Sequence, residues 1–167
     1  MAIGVFAYFT FEKGPQSRAL RDAQDYLNSM IPEYADKVGI VPDSRLQSFM
    51  QYGCSVKISY EQFVTNLGVK LSVTESVTLA LGDLGDVWLN ARDITLLVSE
   101  GRRMIPSSAD GSARLNAFTI QLTTSAPARG IANALMTGAR QCGGGGGAPK
   151  EPTQYHRPGT SIGTPLP

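Results

Sequence analysis

The groups able to do chemistry in this chain are few, and their spacing suits little of it. The single histidine, His156, sits in a glycine- and proline-rich tail. A Ser-His-Asp triad, a Cys-His pair or a histidine-rich metal site therefore cannot be built in the body of the chain. Asp83, Asp86 and Asp93 are the carboxylates close enough in sequence to suggest an acid-base pair or Mg²⁺ ligands. On the helix that their surroundings predict, Asp86 and Asp93 share a face about 10 Å apart, too far for one small ion. Helix capping and a solvated face are the expected roles. Cys54 and Cys142 are the only cysteines, and Cys142 opens a glycine run. That placement argues against a disulfide framework or a four-ligand zinc site and fits a reducing compartment. No glycine-rich turn leads into Gly-Lys-Ser or Gly-Lys-Thr, so a phosphate-binding loop is absent. The chain reads as a non-enzyme with no cofactor, no metal and no small-molecule substrate.

Charge placement is more informative. Residues 1–100 carry eight Lys or Arg against twelve Asp or Glu, a balance of −4. Residues 101–141 carry Arg102, Arg103, Arg114, Arg129 and Arg140 against Asp110, a balance of +4, with no lysine. The guanidinium fork pairs two-pronged with phosphate, so Arg102, Arg103, Arg114 and Arg129 are the candidate nucleic-acid contacts. The plain alternative is that they are solvated or pair with the acidic part of the fold. Trp88, beside Val87, reads as core rather than as a base-stacking platform.

The elements that must position these groups read mostly as helices. The run 83–104 places Val87, Ala91, Ile94, Leu97 and Val98 at three-and-four spacing, which predicts one amphipathic helix stopped by Gly101 and Pro106. A second helix is predicted over 16–31, with Leu20, Ala23, Leu27 and Met30 on one face and Pro32 ending it. Shorter helices are predicted after Asp43, carrying Leu46, Phe49 and Met50 inward, and over 59–68. Residues 69–82 read as a short strand running into a short helix. A final helix over 127–140, capped by Ser125, carries Ile131, Leu135 and Met136 among small residues.

Two strands stand out. Residues 3–11, IGVFAYFTF, are apolar on both faces and need cover from another element or another subunit. Phe118, Ile120 and Leu122 alternate with polar residues in the strand near 117–124. The expected fold class is α+β, predominantly helical: a compact helix bundle with a small sheet made of those two strands. Residues 1–141 are expected to form a single globular assembly domain. Residues 142–167, with five successive glycines and five prolines, are expected to form a flexible, disordered C-terminal arm.

No apolar run approaches the roughly 20 residues that cross a bilayer, and the first residues lack a basic flank or cleavage site. No membrane partner and no secretion are expected. In layout the chain resembles the coat subunits of rod-shaped or filamentous plant viruses, which are short, mostly helical and tipped by a mobile C-terminal end. The functional expectation is a non-enzymatic, self-assembling structural subunit, a viral coat or nucleocapsid-type protein. It would be a homo-oligomer of many copies that packages RNA through arginine-phosphate contacts, working in a virion or host cytoplasm. The alternatives are a phage tail, neck or connector ring protein that binds no nucleic acid, and a small-molecule-binding module or enzyme using carboxylate and arginine groups.

Overall fold

Strands dominate this chain where helices were expected. The computed structural model describes residues 17–38, 44–106, 116–145 and 147–151. Helix α1 (Arg18–Tyr34) is followed by strands β1 (Ala35–Val38), β2 (Ser44–Tyr52), β3 (Ser55–Asn66) and β4 (Val69–Ala80). A single 3₁₀ turn (Leu81–Asp83) leads to β5 (Leu84–Asn90), β6 (Asp93–Val98), β7 (Ile105–Pro106), β8 (Ala117–Leu122) and helix α2 (Ala128–Gln141). The strands form one eight-stranded sheet in the order β5-β6-β8-β1-β2-β3-β4-β7, and every neighbouring pair runs antiparallel. The predominantly helical class is thus corrected to a mostly antiparallel sheet, with two helices among the described residues, and the likeness to helical coat subunits goes with it. The strand expected over 3–11 lies outside the described residues.

The misread segments share a physical cause. The run expected to be the central helix is a hairpin, β5 and β6, turned at Ala91 and Arg92 with Ala91 left-handed at φ 56°. Its register shifts between Leu84 and Asp86, so Gly85 is an extra residue. A bulge moves the side chains beyond it to the opposite parity. Leu84 and Val87 thereby share the buried face at a helix-like spacing of three. A side chain at Gly85 would crowd the backbone of Ser99, 3.2 Å away, which is why the extra residue is glycine. The same device operates in β2, where the register shifts between Leu46 and Ser48 and puts Leu46 and Phe49 inward across Gln47. The helix expected over 59–68 and the strand-helix expected over 69–82 are the two long strands β3 and β4.

The inward rows of the sheet meet both helices in one core. Leu89, Ile94, Ile120 and Val38 lie directly opposite one another across four strands, and all are buried. From α1 come Leu20, Ala23, Leu27 and Ile31, and from α2 come Ile131, Ala132, Leu135, Met136 and Ala139. Burying an aliphatic side chain of this size stabilises by about 2 kcal/mol, and the rows supply many. Ser17 caps α1 by accepting from the Leu20 amide, and Pro32 lies inside the last turn instead of ending it. Asn28 reaches from α1 to clamp β2, accepting from the Gln51 amide and donating to the Gln51 carbonyl. The final helix starts one residue later than expected, with Pro127 rather than Ser125 at its cap.

Two features of the C-terminal segment depart from expectation. Cys54 and Cys142 are bonded to each other, joining the β2–β3 turn to the end of α2. Beyond Cys142 the chain continues along the edge of β5: the Gly145 amide donates to Leu84, the Lys150 amide to Val87, and the Leu89 amide to Lys150. Trp88 and Lys150 thus form a parallel bridge. The start of the segment expected to be a mobile arm is a strand-like edging of the sheet. Glycine on both sides permits this course: a side chain at Gly82 would sit 2.6 Å from the Cys142 carbonyl oxygen, and one at Gly144 would collide with the Gly82 carbonyl.

Candidate functional site

The four arginines chosen from sequence are not brought together. Arg102 follows the left-handed Gly101 after β6, and its guanidinium lies 3.5 Å from the Asp83 carboxylate. Arg103 is exposed beside it and donates to the Arg102 carbonyl. Arg129, in the first turn of α2, donates to the Glu151 carboxylate at 2.8 Å. Arg114 lies outside the described residues. Asp83 precedes the start of β5, while Glu151 follows Lys150, the residue bridged to Trp88 near the end of that strand. The two ion pairs therefore stand roughly 20 Å apart at 3.3 Å per strand residue. Both are exposed, with 64% of the Arg102 and 62% of the Arg129 side chain open to solvent, so neither pair fixes its guanidinium strongly.

The candidate carboxylates are also dispersed. Asp83 faces Arg102, Asp86 lies 3.2 Å from the Lys150 ammonium, and Asp93 accepts from the Gln121 side chain at 2.9 Å. Among the described residues no group of three His, Cys, Asp or Glu is placed to hold a metal ion. Trp88 is half-buried rather than core, with the Lys150 ammonium 6.0 Å from its ring centre. The cleft lined by Gly82, Gly85, Ser99, Arg102 and glycines 143–145 has a volume of about 440 Å³. Its amides at Ser99, Arg102, Gly143, Gly144 and Gly145 already donate within the chain. It offers an anion one exposed guanidinium and little else.

What the fold does present is the β3–β4 hairpin. Its strands pair without interruption from Ser55 opposite Ala80 to Asn66 opposite Val69. The inner half is core: Val56, Ile58, Tyr60, Val77 and Leu79 are buried. The outer half runs past the core, yet its inward-face alternation continues through Val64, Val69, Leu71 and Val73, which are 36 to 57% exposed. At the tip Leu67 and Gly68 are left-handed, φ 52° and 78°, the geometry of a tight hairpin turn, and Leu67 is 96% exposed. A bulky residue that is left-handed and solvated is locally unfavourable twice over.

No family model, curated protein or solved structure matches this chain. The hairpin must therefore be judged on its physical character alone. In the sequence Val69, Leu71 and Val73 alternate as a strand does, while Ser59 and Gln62 stand at capping-box spacing, which is what predicts a helix over 59–68 and hides the hairpin. The signal that would have found it is the two-residue Leu67-Gly68 break between two period-two runs.

Tyr60 marks the point where the hairpin leaves the core. Its ring packs tilted against Phe118 at 5.7 Å, and Glu75 lies directly opposite it. Burial, and then the Glu75 charge, hold the Tyr60 hydroxyl above the usual 10.0. The unfolded chain therefore ionises this group first. Stability from this source is fully present below pH 10 and falls as pH rises through the folded-state value. Tyr60→Phe is expected to remove that loss: between about pH 8 and about pH 11, its denaturant midpoint should fall less than that of the parent chain. Equal falls would show that Tyr60 is not the group responsible.

Among the described residues no helix is long and apolar enough to cross a membrane.

Proposed function

We propose that this protein is a non-enzymatic structural subunit that self-assembles, its copies associating through apolar surface. The observation that supports this is the outer half of the β3–β4 hairpin, where Val64, Leu67, Val69, Leu71 and Val73 stand exposed beyond the core. Contiguous apolar surface of this kind marks an interaction site in a chain that must otherwise stay dispersed. The dispersal of the carboxylates, each against its own partner, supports the same reading over an enzyme.

Of the two structural readings, the ring- or connector-type subunit is better supported than the RNA-packaging coat subunit. Arg102 and Arg129 each face a carboxylate and lie far apart, so they offer a polyanion no continuous track. Their exposure is what supports the coat reading. A virion or host cytoplasm is the setting proposed for either, and the Cys54–Cys142 bond favours a particle that persists in oxidising surroundings.

Light scattering on the purified chain, with and without RNA, at low and high salt, tests the proposal. Assembly without RNA and insensitive to salt is expected. Assembly that needs RNA and fades with salt would establish the coat reading instead, and a chain that stays monomeric throughout would remove both.

A further inference from the structure

The assembly reading points to the outer hairpin but not to how two copies meet there, and the hairpin's own register answers that. We infer that two copies pair through the outer halves of their β3–β4 hairpins, apolar face against apolar face, about a two-fold axis passing close to Leu71. This inference rests on the assembly reading above.

Register fixes what each face carries. Gln62 lies opposite Val73, Val64 opposite Leu71, and Asn66 opposite Val69. Directly opposed residues project from the same side of a sheet, so these six form one face. None of them is charged. The other face carries Glu61, Phe63, Thr65, Lys70, Ser72 and Thr74. There the Lys70 ammonium sits 4.9 Å from the centre of the Phe63 ring, and the Ser72 hydroxyl donates to Glu61. Within residues 61–74 all the charge is thus on one side, engaged within its own strands, and on the apolar side the first charge is Glu75, opposite Tyr60 where the face meets the core.

That asymmetry selects the partner. A two-fold axis sets one patch against the same patch of the copy, residue i meeting j and j meeting i, so a patch of one charge would repel its copy, whereas this one offers only Val, Leu, Asn and Gln. A partner chosen by charge would find nothing complementary. The face also continues without a bulge from the row that is already core, Val56, Ile58, Val77 and Leu79, so its side chains are spaced to stack against another sheet. Six to seven residues by two strands give a face about 20 Å by about 10 Å. With the tip leucines added, two such faces remove about 700 Å² from water, the size of a weak, concentration-dependent contact. Leu71 lies between Val69 and Val73 and opposite Val64, which places it at the centre of the contact. The exposed Leu67 then reaches onto the neighbour beyond the face itself.

The full-length chain carries the test. Leu71→Lys is expected to leave the circular dichroism spectrum unchanged, because the residue is exposed in one copy, and to weaken dimer formation about 30-fold or more. Cys54 and Cys142 are bonded to each other and no other cysteine exists, so an introduced thiol is the one free thiol. Leu71→Cys is expected to form a covalent dimer on mild oxidation, and Thr74→Cys, on the opposite face, to form little. If the parent chain assembles but Leu71→Lys assembles equally well, or Thr74→Cys cross-links as readily as Leu71→Cys, the hairpin pairing is overturned while the assembly reading stands. If Leu71→Cys cross-links only after residues 2–16 are deleted, the chain's own N-terminal segment covers this face and the pairing is likewise overturned. A parent chain that is monomeric at every concentration overturns the assembly reading itself.

Discussion

Replacing Cys54 and Cys142 together with serine is expected to lower the unfolding free energy by about 4 kcal/mol. The bond closes a loop with a sequence separation of 88, which contains most of the sheet and all of α2. Without it the unfolded chain regains the entropy of that loop, and chain-entropy reasoning puts the effect near the upper end of the usual 2–4 kcal/mol range. For a domain of this size the melting temperature would drop by about 10 °C. Guanidinium unfolding of parent and double variant measures it, and a difference under about 1 kcal/mol would mean that the unfolded state is already compact. Hydrogen exchange adds a local readout. The Gly145 and Lys150 amides, which donate to β5 just past Cys142, should lose protection before the amides of β8 do.

Phe118→Ala is expected to destabilise by about 4 kcal/mol, within the range for removing a buried aromatic ring. Phe118 is fully buried on β8, opposite Leu96 of β6, and its ring meets Tyr60 of β3. β8 is the strand that joins β6 to β1, so the ring packs where the two parts of the sheet meet. The surrounding side chains come from separate strands and cannot close over the vacated space together. Phe118→Leu, which keeps most of the volume, should cost less than half as much. Equal losses for the two variants would show that ring contact with Tyr60, not filled volume, carries the effect.

The elements with undisturbed periodicity were legible. α1 and α2 keep their apolar stripes over many turns, and β8 keeps strict alternation with one face polar. β2 and β5 were not, because a bulge in each turns a period of two into a step of three, and a step of three reads as a helix. The run 83–104 shows how far this misleads. Ala91 falls in the apolar stripe that a helix would have and is the exposed turn residue, while Leu84, Leu89 and Leu96, outside the stripe, are buried. The disulfide was hidden because its partners lie far apart in sequence and one stands in a glycine run. Those same glycines let the chain lie close against Gly82. For the arginines, charge count along the sequence carried no information about position, since Arg102 and Arg129 flank opposite ends of one strand.

The placement of β8 governs how the protein can be made. β1 to β4 on one side and β5 with β6 on the other become a single sheet only when β8 enters between β6 and β1. As the chain leaves the ribosome, two incomplete sheets must wait with open edges until residue 122 has emerged. Closure at such long sequence separation makes folding slow, and the waiting edges are where nascent copies would join wrongly. Expression at low temperature, or with a chaperone holding the first hundred residues, is the natural route to intact material.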